Sequence, residues 1–432
     1  MSLDPKSVPS KSPITVLRAR VVLPISGPPI ENGAVVIAGN LIQAVVRWAD
    51  LAVPKRARVV DLGEMVLLPG LVNAHCHLDY TGMAGQLAPT KQFIDWLKLI
   101  TMSKSGWGYS DFAESWLAGA GMLVRTGTTT VGDIEMVPEL LPEVWAATPL
   151  RVFSFLEMTG VKSRRLPLEI LGEALAKITS IPIGSRRMGL SPHAPYSTTP
   201  GLLLLTADAA RHLNLPVVVH VAESDQEFEM YMYGEGKMYD WLARGGRDMS
   251  DCGLGSPVQH LERHGLLGKN LLAVHVNYLA PKDIALLAKR QVHVVHCPRS
   301  HTYFRHRRFA LSELSAAGIN VCLGTDSLAS LHLPKKQVAE LSLFEEMREL
   351  AITHPELKPE FILQMATKNS AAALGMPKQI GELIPDAQAD LIAVPYAGKI
   401  ADAAKAVVNH RGNVAASMIG GNWAVEPAAI FP

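Results

Sequence analysis

Apolar residues along this chain recur in two different rhythms. Between residue 14 and about residue 67, short β-branched runs at 15–23, 34–38, 41–46 and 57–61 are broken by Gly and Pro turns and show no helical period. This segment predicts a small β unit that is incomplete on its own. Strand-like runs return at the far end, at 389–395, 404–409 and 415–419, so the two ends are expected to fold together. Between them, eight short apolar runs alternate with longer helical segments: 66–77, 128–133, 150–157, 188–193, 217–222, 271–275, 292–296 and 321–326. Strand and helix in alternation is the pattern of βα units around a parallel sheet, and eight of them predict an α/β fold with a (β/α)8 TIM barrel, whose reactive groups gather at the carboxyl ends of the strands. The expected division is 1–67 and 381–432 for the β domain and 68–380 for the barrel. No repeat signature of solenoid length interrupts this reading.

Composition narrows the partners. A chain of 432 residues exceeds the usual single core, and 48% hydrophobic content supplies ample material for a barrel with a second domain. Lys and Arg total 41 against 40 Asp and Glu, which offers no electrostatic handle for nucleic acid or an anionic membrane and favours a small, roughly neutral molecule. No apolar run reaches the roughly 18 residues of a membrane span. The first 13 residues, with Pro5, Pro9 and Pro13 among Ser and Lys, read as a disordered or added lead without the apolar block of a signal peptide. A soluble, cytoplasmic protein is expected. Of four cysteines, Cys76, Cys297 and Cys322 sit inside apolar runs and Cys252 does not; buried reduced thiols are expected rather than disulfides. The oligomeric state is left open, a homo-oligomer being allowed.

The barrel reading makes a test, because polar residues at the strand ends should then meet. The first run ends in His75-Cys76-His77, the fifth in His220-Val-Ala-Glu223, the sixth in His275 and the eighth in Gly324-Thr325-Asp326. On a strand, residues two apart share a face, so His75 and His77 point together and Cys76 points into the packing layer. Each residue alone has an ordinary explanation, as a hydrogen-bonded core histidine or a helix cap. Together they form a set that apolar packing does not need. Three imidazoles and a carboxylate, His75, His77, His220 and Asp326, are the donor set of a hydrolytic metal centre. A divalent ion is expected, zinc first, with iron or manganese also accepted by these donors. Such an ion acidifies a bound water. Glu223, three residues past His220, is placed to carry protons as general acid/base. Asp326 is placed to take the first proton, and His275 to polarise the nucleophile or bond the intermediate.

These residues, with Leu68-Pro69-Gly70-Leu71-Val72-Asn73 before the first histidine pair, resemble the amidohydrolase superfamily, in particular its mononuclear deaminase and chlorohydrolase branch. The likeness extends over nearly the whole chain. It includes Ala366-Thr-x-Asn369 and a tail from Gly381-Glu-Leu to Ala389-Asp390-Leu, which in that family begins the return into a composite β-sandwich built from both termini. Asp386 stands where glycine is frequent; Asp tolerates the left-handed turn. Binuclear relatives place a carboxylated lysine near strand three or four, whereas the fourth run here, residues 188–196, has none, so the resemblance implies one metal. It also implies that His193 faces the substrate; a histidine stabilising its own turn is the alternative.

Further candidates each keep two readings. Glu157 closes the third run and either bonds a heterocycle or caps the next segment. Trp96 either contacts substrate or packs its helix. Residues 228–234, long and aromatic, are expected as a lid over the pocket. The basic segment after the seventh run, with Arg299 and His301, is either a solvated loop or a grip for an anionic or polar group. Asp79-Tyr80 are placed to orient a ligand or the lid. The function implied is a metal-dependent deaminase releasing ammonia from an amino-substituted N-heterocycle, an adenine-type nucleoside first, with aminodeoxyfutalosine favoured by the basic segment. The alternatives are hydrolysis of a cyclic amide or a triazine C–Cl bond on the same site, and a catalytically inactive barrel used for binding.

Overall fold

The computed structural model describes residues 13–88, 90–161, 165–182, 184, 186–331 and 339–428; the lead at 1–12 lies outside them. Five N-terminal strands come first: β1 (Ile14–Val22), β2 (Ile30–Ala38), β3 (Leu41–Arg47), β4 (Arg58–Asp61) and β5 (Met65–Pro69). The chain then crosses into the barrel at Gly70. A β-carbon there would lie 2.2 Å from the Thr129 side chain, so only glycine lets the two sheets approach this closely. The single run expected at 66–77 is therefore two strands in two sheets, β5 and β6 (Leu71–Cys76).

Seven more parallel strands follow: β7 (Thr128–Glu135), β8 (Arg151–Met158), β9 (Arg187–Pro192), β10 (Val217–Val221), β11 (Leu271–His275), β12 (His293–His296) and β13 (Val321–Leu323). They hydrogen-bond in sequence order from β6 to β13. Helices such as Tyr109–Arg125, Pro200–Leu213 and Leu343–Thr353 alternate with them. Every residue of β6, β7, β10 and β11 is buried, as expected when helices cover one face and the barrel interior the other. The sheet closes through a parallel bridge between Cys76 and Asp326, and the His75 carbonyl accepts from the Thr325 and Asp326 amides at 3.0 and 3.2 Å. This is a (β/α)8 barrel.

The C-terminal strands β14 (Leu391–Pro395), β15 (Ala416–Ile419) and β16 (Asn422–Val425) complete the first sheet, in the order β16-β15-β14-β5-β1-β2-β3 with β4 beside β1. The two ends meet where β14 runs antiparallel to β5, Leu391 opposite Pro69 and Pro395 opposite Met65. Asp386 has φ 67°, the left-handed turn anticipated for it. Across the seam, the buried Asp390 carboxylate accepts from Arg151 Nη2 at 3.0 and 3.2 Å and from the Gly420 amide at 2.7 Å. One expected strand is a helix: Ala403–Val408 buries Ala403, Ala404, Val407 and Val408, a helical spacing, in the same core as Met347 and Ile362 from two barrel helices. A short Ala/Val run has no period long enough to reveal this beforehand. Among the described residues no helix is long and apolar enough to cross a membrane, and the four cysteines are free.

Candidate active site

The barrel brings the strand-end residues together. His77 Nε2 and His220 Nε2 face each other at 3.1 Å. Asp326 Oδ1 lies 3.7 Å from His75 Nε2 and 3.9 Å from His77 Nε2, and Glu223 Oε1 lies 3.5 Å from His275 Nε2. Donor atoms of His75, His77 and Asp326 lie within 4.8 Å of one another, as do those of His75, His220 and His275. All are buried. Cys76, between the two histidines, packs outward with Leu78 and Trp116.

Several observations show that this donor set fits a cation. Neither ring nitrogen of His75, nor Nε2 of His275, has a hydrogen-bond partner among the described residues, and buried polar atoms are seldom left so. His220 Nδ1 donates to the His193 carbonyl at 2.9 Å, which leaves the Nε2 lone pair free to ligate. The 3.1 Å between two imidazole nitrogens matches ligands sharing one ion at about 2.0–2.1 Å each. Burial pushes the His77 and His220 imidazoles well below their ordinary range and keeps them neutral.

The two carboxylates have opposite surroundings. Burial pushes Asp326 up, but the imidazoles of His75, His275 and His77 close beside it hold it well below the usual carboxylate range. Burial, with Asp326 and Glu227 beside it, drives Glu223 well above that range. The two carboxyl groups of this site are therefore held with opposite proton affinity, Asp326 towards the ionised form and Glu223 towards the protonated one. The backbone here is unusual as well: Ala222, His275, Val276 and Asp326 all have positive φ, at 52°, 74°, 52° and 53°.

Above the cluster lies a cavity of about 290 Å³. The helix Phe93–Lys104 presents Trp96, Leu97, Ile100, Thr101 and Lys104 to it, and Tyr196, Trp241, Glu157 and His193 form other walls. The chain's likeness to known proteins agrees with this geometry. Residues 66–424 match the amidohydrolase family. The chain belongs to the amidohydrolase family. The 5-methylthioadenosine/S-adenosylhomocysteine deaminase of Syntrophobacter fumaroxidans is 33% identical over 384 residues, covering 85% of this chain and 80% of that protein. The aminodeoxyfutalosine deaminase of Deinococcus radiodurans is 29% identical over 357 residues, covering 79% and 81%. A zinc-bound adenosine deaminase from Xanthomonas campestris superposes with a TM-score of 0.81 at 25% identity, covering 95% of this chain and 92% of that one.

Of the weaker candidates, Trp96, Glu157 and His193 line the cavity of this amidohydrolase. Trp96 also packs on Phe93 and donates to the Ala329 carbonyl, so it packs its helix as well as facing the cavity. Arg299 and His301 are not among the described residues that line it. Arg299 is held by the buried Glu346, Nε to Oε1 at 2.5 Å, and by the Glu340 carbonyl at 3.0 Å, while His301 Nδ1 meets Asn277 Oδ1 at 3.0 Å. Their partners lie on other elements, out of sight of a local reading. The expected lid at 228–234 belongs instead to the helix Asp225–Tyr233, with Ser224 as N-cap and Gly234 left-handed at its end. The Ser224 and Glu227 spacing signals that helix start; the next helix, Lys237–Arg244, supplies the cavity wall through Trp241.

Three supporting residues, Asn73, Asp133 and Lys104, were missed, whereas Tyr80 was singled out beforehand. Asn73 Oδ1 accepts from the His75 and Thr325 amides at 3.3 and 3.1 Å, and its Nδ2 donates to Thr325 Oγ1 at 2.8 Å. Asp133 accepts from the Leu78 amide at 3.0 Å and Trp116 Nε1 at 2.9 Å, which fixes the turn after His77. Tyr80 stacks parallel on His77 at 5.2 Å and accepts from Lys104 Nζ at 3.0 Å. Asn73 lay within the quoted motif; Asp133 and Lys104 carry no sequence signal.

Proposed function

We propose that this amidohydrolase is a hydrolytic deaminase that releases ammonia from the exocyclic amine of an adenine-type nucleoside. The observation that carries the reading is the pair of carboxyl groups with opposite proton affinity, Glu223 raised and Asp326 lowered, flanking one buried imidazole cluster under an aromatic-walled cavity. The deaminase relatives support it. His75, His77, His220 and Asp326 would hold one divalent ion, zinc by the nature of three nitrogen donors and one oxygen. When bound, that ion supplies a water acidified towards neutrality.

The chain's own groups then handle protons and orientation. Asp326 accepts a proton from the attacking water, whose oxygen bonds to the ring carbon bearing the amine. Glu223 delivers a proton to the adjacent ring nitrogen, and the Asp326 proton passes to the amine, which leaves as ammonia while the new hydroxyl becomes the carbonyl and its proton returns to Glu223. His275, neutral because burial lowers it to about 3, bonds the developing oxygen. Trp96, Tyr196 and Trp241 enclose the flat heterocycle and exclude water. The benzoate of aminodeoxyfutalosine gains no support from Arg299, which is already paired; Lys104 is a cation on the cavity wall itself. A 5′-substituted adenine nucleoside is the substrate class that follows.

Ammonia release from adenosine, 5′-methylthioadenosine, S-adenosylhomocysteine and aminodeoxyfutalosine tests this. Wild type is expected to turn over at least one, and Glu223→Gln to be slower by roughly 10²–10⁴. Equal activity of the two removes Glu223 from proton transfer; no ammonia from any of these nucleosides removes the deaminase reading.

A further inference from the structure

Glu223 and His275 stand at two neighbouring strand ends whose backbone is held in the left-handed region. Ala222 has φ 52°, His275 74° and Val276 52°, and for a β-branched residue such as Val276 this conformation persists only where surrounding bonds impose it. The ends are laced together. The Val276 amide donates to the Val221 carbonyl at 3.0 Å, and the Asn277 and Tyr278 amides both donate to the Ala222 carbonyl, at 2.9 and 3.1 Å. The Asn277 side chain completes the lacing: its Nδ2 donates to the Glu223 carbonyl at 2.9 Å. On its other side, Oδ1 meets His301 Nδ1 at 3.0 Å.

An amide has one donating and one accepting end, and an imidazole nitrogen does either according to its proton. With Nδ2 committed to a carbonyl, Oδ1 must accept, so His301 carries its proton on Nδ1. The His301 Nδ1 proton and the Glu223 carbonyl together hold the Asn277 amide in this orientation, and Asn277 ties His301 to the Glu223 backbone. Both sit behind the cavity, and neither is among the described residues that line it.

We propose that Asn277, oriented by His301, is a positioning residue that holds Glu223 in line for proton transfer. The inference rests on Glu223 being the proton carrier. His301, expected from sequence to touch substrate, acts here through Asn277 instead.

Asn277→Asp is the sharpest probe, because it preserves shape and the acceptor for His301 but replaces the donor to Glu223 with a carboxylate oxygen. Its kcat is expected to fall by at least about tenfold, since a misplacement near 1 Å costs roughly 10², with KM within about threefold and metal stoichiometry unchanged. His301→Leu is expected to fall likewise, and His301→Gln, which restores an N–H donor, to recover most of the loss. A wild-type kcat in Asn277→Asp or in His301→Leu overturns the proposal, as does a fall accompanied by loss of metal. Should Asn277→Asp fail to fold, the two His301 variants decide. A crystal structure of metal-loaded Asn277→Asp gives a readout independent of turnover: Glu223 displaced from its wild-type position supports the proposal, and Glu223 unmoved overturns it. If wild type releases no ammonia while Glu223 is displaced in the variant, the deaminase reading fails and the positioning role stands.

Discussion

Asn73→Ala removes the side chain that ties together the two strands carrying His75, His77 and Asp326. Asn73 is fully buried and makes three hydrogen bonds across the closure of the barrel, to the His75 amide, the Thr325 amide and Thr325 Oγ1. The Thr325 amide retains the His75 carbonyl as acceptor, so two bonds are lost without replacement. At about 0.5–1.5 kcal/mol each, the global cost is roughly 1–3 kcal/mol. Unfolding entropy near 2.1 cal/mol/K per residue gives about 0.9 kcal/mol/K for 432 residues, so Tm falls by about 1–3 °C. The larger effect is on the metal: loss of a residue that orients ligands lowers affinity about 10–100-fold, equivalent to about 1.4–2.7 kcal/mol. Competition against a chromophoric chelator measures that affinity, and differential scanning fluorimetry with and without zinc measures the stability. An unchanged metal affinity beside a lowered Tm would mean that Asn73 supports the barrel but not the ligands, and the coupling argued from its hydrogen bonds would be wrong.

Other outcomes follow from the same geometry. Arg151→Met leaves the Asp390 carboxylate buried with only the Gly420 amide as donor; breaking such a pair costs about 3–5 kcal/mol, or about 3–6 °C in Tm, and a variant as stable as wild type contradicts it. Glu227 accepts from the Glu223 amide at 2.9 Å, and burial lifts its carboxyl from 4.5 to about 8. The unfolded chain therefore binds fewer protons than the folded one between about pH 4.5 and 8, and this carboxyl makes stability fall as pH rises through that window. Glu227→Gln should gain on wild type progressively from pH 5 to 8 in urea titrations and no further above, whereas a pH-independent difference would show that Glu227 is not held protonated.

The alternation of apolar runs was enough to place the barrel strands, because a strand covered on both faces must be apolar along its whole length, as in Val217–Val221. The same logic failed for Ala403–Val408, where five small apolar residues around Lys405 fit a strand or a helix equally and only the barrel helices beside them decide. Likewise the clustered histidines were visible because imidazoles at the ends of three apolar runs are chemically out of place. Arg299 was visible for the same reason and misread, since the carboxylate that neutralises it, Glu346, lies 47 residues away.

By itself, then, the sequence determined the βα rhythm, the joining of the two ends, and the identities of His75, His77, His220, Glu223, His275 and Asp326. These are local properties: hydrophobic period, residue chemistry and spacing within one strand end. Tertiary structure decided everything that depends on a second element, namely the closure of β6 on Asp326, the Asn73 and Asn277 bonds that hold it and its neighbours, and the opposite proton affinities of Glu223 and Asp326. Proton affinity follows burial and the charges within a few ångströms, and those neighbours come from strands far apart in the chain.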